Sequence, residues 1–168
     1  MKAVLLAACL TFVTIPVFAQ TLASQTSDNN LYSLALKASI LQMEKEYGHI
    51  DDSVGGESIR TDYRHMTVEK EPVVTDGLPT EFDDHFVEYL DHQGLVERYK
   101  KLGKPYAVLV IQPIQNEGTA LKIAVVVYWV SYKKHRLQLA LSDWSNVEFR
   151  YDCDKQRFVV SLVKLGGI

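Results

Sequence analysis

The sequence predicts an α+β fold, a curved antiparallel sheet whose C-terminal four-strand meander wraps around an N-terminal helix. Three observations lead there. The last third of the chain, Tyr106 to Lys164, is four successive runs rich in β-branched and aromatic residues. Nearer the start, Tyr32, Leu36, Ile40, Met43 and Tyr47 recur at helical spacing. Between these regions lie two short strand patterns and a second amphipathic segment.

The chain of 168 residues opens with Met1-Lys2, an apolar run from Ala3 to Val13, and Val17-Phe18-Ala19 before Gln20. That is the pattern of a secretory signal peptide cleaved after Ala19, so residues 1–19 are expected to be removed on export to the periplasm or the extracellular space. The apolar run is too short for a stable membrane span. Leu6-Ala7-Ala8-Cys9 resembles a lipoprotein box, but almost no apolar segment precedes it, so Cys9 reads as an ordinary signal-peptide residue. Residues 20–30 are polar and are expected to form a disordered leader, with 31–168 as one α+β domain.

Asn30 or Asp28 suits the N-cap of the first helix, and Gly48 a stop. Leu34 and Leu41 widen its apolar stripe. His49 to Thr61 reads as a loop, Tyr63 to Glu69 as a strand ended by Pro72, and Val73 to Asp84 as a second loop. Phe86 to Leu90 is a short strand. Asp91 then caps a helix with Leu95, Tyr99 and Leu102 on its apolar side, closed by Gly103 and Pro105.

Tyr106 to Ile111 is continuously apolar, as in a strand covered on both faces. Asn116-Glu117-Gly118 turns the chain into Thr119 to Tyr132, which at about 3.3 Å per residue spans roughly 46 Å and so should bend. After the cationic turn Lys133 to Arg136, Leu137 to Leu141 and Val147 to Tyr151 alternate cleanly. Ser142 to Asn146 interrupts them like a bulge or bend. Asp152 to Gln156 turns into the last strand, Arg157 to Val163.

Composition excludes some functions. With 18 basic and 21 acidic side chains the formal net charge is −3, and loss of Lys2 with the leader makes the mature chain one unit more acidic. Nucleic acid and anionic membrane are therefore not the expected partners. Cleavage leaves Cys153 as the remaining cysteine, so no internal disulfide is expected. Its alternation with Phe149 and Tyr151 suggests partial burial.

The order of helix, two strands, helix and a meander of long bent strands resembles the nuclear-transport-factor-like cone, also called the cystatin-like α+β roll. The resemblance covers roughly Leu31 to Lys164 and rests on the order of elements, not on a motif. It implies a curved sheet around the first helix with a pocket at the open end, in a group that includes ketosteroid isomerases, polyketide cyclases and binding-only proteins. Isomerases on this fold pair an acidic base with a Tyr or a protonated acid. No residue here matches such a motif, so none is carried across. An α+β sandwich of another topology competes with the cone.

Two sets of residues could carry chemistry. On an extended Asp62-Tyr63-Arg64-His65, Tyr63 and His65 share a face, where they could act as hydrogen-bond donor and general acid or base. The same pattern suits a strand with a half-exposed face. Tyr128 and Trp129, with Asp143 and Trp144 on the next strand, could bind a ring or a sugar, although Trp in a two-sided strand is commonly core. His49, Asp51 and Asp52, and likewise Asp83-Asp84-His85, lack metal-ligand spacing and read as polar loops, so no metal and no cofactor is expected. Gly55-Gly56 reads as a turn and not as a phosphate loop. No nucleophile elbow is present, and the acidic surroundings of Cys153 do not activate a thiol.

Three readings follow. The first is a non-catalytic exported module that binds a small apolar ligand or a protein, with a homodimer through the sheet face among its outcomes. The second is a metal-independent isomerase, dehydratase or cyclase with a cone pocket. The third is a secreted inhibitor or immunity-type protein.

Overall fold

The computed structural model describes residues 30–48, 52–54, 57–59 and 61–167. The signal-peptide reading, most of the leader, and the loop residues His49, Asp51, Gly55 and Gly56 lie outside the described residues; of Asp52 only the backbone is described.

Helix α1 (Leu31–Tyr47) starts where Asn30 caps it, accepting from the backbone N–H groups of Tyr32 at 2.9 Å and Ser33 at 3.4 Å. A small separate hairpin, β1 (Asp52–Val54) and β2 (Glu57–Ile59), follows in the stretch expected to be loop. Strand β3 (His65–Glu69) begins two residues later than the pattern suggests, leaving Tyr63 and Arg64 in a turn. The expected second loop holds a one-turn helix, α2 (Pro72–Thr75), and a two-residue strand, β4 (Glu81–Phe82). Then come β5 (His85–Leu90) and α3 (His92–Leu102). Asp91 caps α3 by accepting from Gly94 N at 2.8 Å, and Gly103 ends it at φ 68°, a left-handed conformation that suits glycine. The C-terminal strands are β6 (Tyr106–Ile111), β7 (Gln115–Glu117), β8 (Ala120–Lys133), β9 (Arg136–Asp152) and β10 (Arg157–Gly167).

The architecture is α+β, with a curved, open eight-stranded sheet in the order β10-β9-β8-β6-β3-β5-β4 and β7 paired beside β8. From β6 to β10 every pairing is antiparallel and forms the expected four-strand meander. Toward the other edge the sheet turns parallel: β3 lies between β5 and β6 and runs parallel to both. Helix α3 makes the crossover that this requires. Strand β9 is continuous where a bend was one expectation. Val127 pairs with Asp143 but Tyr128 with Leu141, so Ser142 is the extra residue of a bulge.

Helix α1 packs on one face, here the inner one, against β8, β9 and β10. Leu36, Ile40 and Met43 meet Ile123, Val125, Val127, Val147 and Phe149, all buried. Val74 and Leu78 close the same layer. On the outer face α3 sets Leu95 against Tyr106, Val108 and Val130, and the Tyr106 hydroxyl donates to Leu95 O at 2.8 Å. Two residues expected on the buried helix faces, and one expected to be partly buried, are instead exposed. Leu41 and Leu102 sit beside the stripe that each helix buries, and Cys153 lies in the turn between β9 and β10.

Candidate functional site

The first question for a sheet curved around a helix is whether the layer between them is hollow. Here it is filled. Leu36, Ile40, Met43, Ile123, Val125, Val147 and Phe149 are each fully buried there, at 0% exposure. A polar contact across this layer, Ser145 Oγ donating to Ser39 Oγ, is buried as well. The grooves described below open at the edge of this layer or on the outer face.

The turn before β3 separates the first pair of candidates. Tyr63 is buried and belongs to the inner core. His65 is exposed and points to the outer face, where its ring stacks on Phe86 with centroids 5.5 Å apart. Its Nδ1 lies 2.9 Å from Asp62 Oδ2, a pairing that the two residues make across the turn. Tyr63 and His65 are therefore not side by side. The extended backbone assumed for residues 62–65 is absent because Asp62 Oδ1 accepts from Arg64 N at 3.0 Å and closes the turn.

That turn instead joins a cluster of charged groups. His85 opens β5 and is buried, its Nε2 3.0 Å from Glu44 Oε2 of α1. Its Nδ1 is 3.1 Å from Asp84 Oδ1 but out of line for a hydrogen bond. Phe82 stacks on its ring at 5.9 Å. Arg64 bridges the two acids, 3.6 Å from Glu44 and 3.4 Å from Asp84. Beside the cluster is a groove of about 340 Å³ lined by Glu44, Asp62, Tyr63 and Arg64. The sequence singled out Asp83-Asp84-His85 but gave no sign of Glu44 or Arg64 as partners, which come from other elements. Among the described residues, no three His, Cys, Asp or Glu side chains converge as metal ligands. The arrangement pins α1 to the start of β5 and holds a histidine between two carboxylates.

The bulge at Ser142 divides the second set of candidates between the two faces. Trp129 and Asp143 are inner. Trp129 is nearly buried and opens on a groove shared with His65, Met66 and Ala107. Asp143 accepts from Ser142 Oγ at 2.6 Å. It also helps to raise the pKa of Tyr47, which burial raises most, with Glu46 adding to it. Trp144 is outer, its indole lying against Gly166 of β10. Tyr128, two residues from the Val126 that pairs with Trp144, shares that outer face.

Helix α3 covers the outer face over Tyr106, Val108, Val130, Tyr132 and Leu137. Beyond it Leu139 and Leu141 of β9 are exposed, beside the half-buried Val126, Tyr128 and Trp144. Among the described residues this is an apolar strip with no covering element. The strip begins at Leu137 and advances every second residue along β9 until the bulge. No protein-family model, curated protein or solved structure matches the chain.

Proposed function

We propose that this protein is a non-catalytic exported module that docks a partner protein on the outer face of its sheet, around Leu139, Leu141, Tyr128 and Trp144. One observation carries the reading: the inner layer is filled by side chains, whereas the outer face keeps an uncovered apolar strip. Burial of such a strip is favourable at roughly 25 cal/mol per Å², and exposed apolar patches on soluble domains mark interaction sites. A secreted inhibitor or immunity-type protein would work through the same kind of surface. A second copy of the chain is the other occupant this face allows.

The test is a Leu139→Ser/Leu141→Ser variant. Both side chains are exposed, so the variant should fold with an unchanged circular dichroism spectrum. In crosslinking on the exported fraction, the wild type should retain a partner that the variant loses. Equal retention by both proteins would sink the reading, and a dimer of wild type lost in the variant identifies the occupant as a second copy.

A second reading rests on a different observation, the buried His85 held between Glu44 and Asp84 beside an open groove. Such a group can move a proton at an enolisable carbon, as an isomerase, dehydratase or cyclase requires. A screen against enolisable carbonyl compounds tests it. Turnover lost in both Glu44→Gln and His85→Gln supports an enzyme; no turnover by the wild type counts against it.

A further inference from the structure

At the end of the apolar strip, α3 and the β8–β9 hairpin enclose a groove of about 450 Å³. Val96 and Leu137 contribute apolar lining, and Lys100, Tyr132, His135 and Arg136 also border it. No acidic side chain lines it. Among the described residues, Lys100, Lys133, Lys134 and Arg136 have no carboxylate within ion-pair distance, which is also true of Lys45, Lys70, Lys101, Lys104, Arg150 and Arg157 elsewhere, so what marks this groove is that two cations border it and no acid does. A groove bordered by Lys100 and Arg136 with no acidic lining runs against the overall balance of a chain with net charge −3.

The backbone bears out the same emphasis. Lys133 pairs with Arg136, so Lys134 and His135 alone make the hairpin loop, at φ 51° and 61°. Two-residue loops of this hand strongly favour Asn-Gly, because side chains resist the left-handed region. Here the chain sets a lysine and a histidine there and accepts the strain. Strained backbone of this kind clusters at binding sites. Tyr132 is held by Tyr99, 6.3 Å away, and the Lys100 ammonium stands 5.5 Å from its ring centroid.

We propose that this groove receives carboxylate side chains of the partner segment whose apolar residues lie along Leu137, Leu139 and Leu141. The inference rests on the outer-face reading and names the chemistry of its partner, an extended protein segment that is acidic at one end and apolar beyond it. A protein segment fits better than a polyanion because the surface leading from the groove along Leu137, Leu139 and Leu141 is apolar. Carboxylates would meet Lys100 and Arg136 at a rim that gives register and steers association.

The test uses the full chain and labelled short peptides that begin with a pair of Glu, or of Gln, and continue with Leu at every second position, followed by fluorescence anisotropy; these are the Glu–Leu and Gln–Leu peptides. The Glu–Leu peptide should bind, and more weakly as salt rises from about 50 to about 500 mM. Lys100→Glu/Arg136→Glu should weaken it about tenfold or more, as reversal of rim charges does, with the fold retained. Equal affinity for both peptides, or no effect of the charge reversal, overturns the proposal. Binding to inorganic phosphate or to phosphatidylglycerol vesicles, with none to the Glu–Leu peptide, overturns it too. If the Leu139→Ser/Leu141→Ser variant loses both peptides while the charge reversal loses neither, the outer-face reading stands and the groove falls. If the charge reversal alone abolishes binding, the groove stands and the outer-face reading falls.

Discussion

The indole of Trp144 on β9 fills the space that any side chain at Gly166 on β10 would need. In Gly166→Ala the new methyl group meets the ring, which must leave the sheet. Overpacking of this kind costs about 1–3 kcal/mol. In a Trp129→Phe background Trp144 is the sole tryptophan. Its emission should shift to the red in Gly166→Ala, with a lower denaturant midpoint. An unchanged spectrum and midpoint would show that the ring does not rest there.

Ser145 donates a hydrogen bond to Ser39 inside an otherwise apolar layer. Removing one hydroxyl leaves the other buried without its partner, a loss of about 1–3 kcal/mol. Ser39→Ala and Ser145→Ala should each be destabilising, and the double variant much less so than their sum. Urea unfolding of the four proteins measures the coupling; strict additivity refutes it.

Buried between Glu44 and Asp84, His85 ties the last turn of α1 to β5. His85→Ala removes that tie and the ring under Phe82, for an expected loss of about 2–4 kcal/mol, chiefly from lost packing. His85→Gln can still donate to Glu44 and should lose less. Equal midpoints for the two variants would argue that the Glu44 contact contributes nothing.

High pH should loosen the outer layer through Tyr106. Burial pushes its phenol up to about 12, with the Arg98 guanidinium opposing and Glu88 adding to the rise. The folded state therefore keeps this proton over a range where the unfolded chain releases it. Its contribution to stability is complete below about pH 10, the ordinary value for tyrosine, and is lost as pH rises through about 12. Tyr106→Phe should flatten that part of the stability profile, as measured by urea midpoints from pH 9 to 12. The hydrogen bond to Leu95 O is lost in the same variant, which lowers the whole curve by about 1 kcal/mol.

The strands of the meander were legible because each is a run of β-branched and aromatic residues bounded by turn chemistry, and β6 was predicted to the residue. The caps Asn30 and Asp91 were legible for the same local reason. What local pattern does not carry is which strand meets which. Nothing in His65 to Glu69 says that it pairs in parallel on both sides. The candidate residues failed to converge through small shifts of phase. A turn at Asp62 put Tyr63 and His65 on opposite sides, and one extra residue at Ser142 did the same for Trp129 and Trp144. The Glu44–Arg64–His85 cluster joins three segments far apart in sequence, so no spacing could announce it. The cationic hairpin was visible as composition, but its groove depends on α3 lying across it.

The central place of β3 has a consequence for the order of assembly. From β6 onward each strand finds its neighbour through a short reversal, so the meander can form from local contacts and form fast. Strand β3 cannot: one of its partners arrives only after α2 and β4, and the other only after α3. During synthesis the first half of the domain therefore waits, without its template, for the half that is made last.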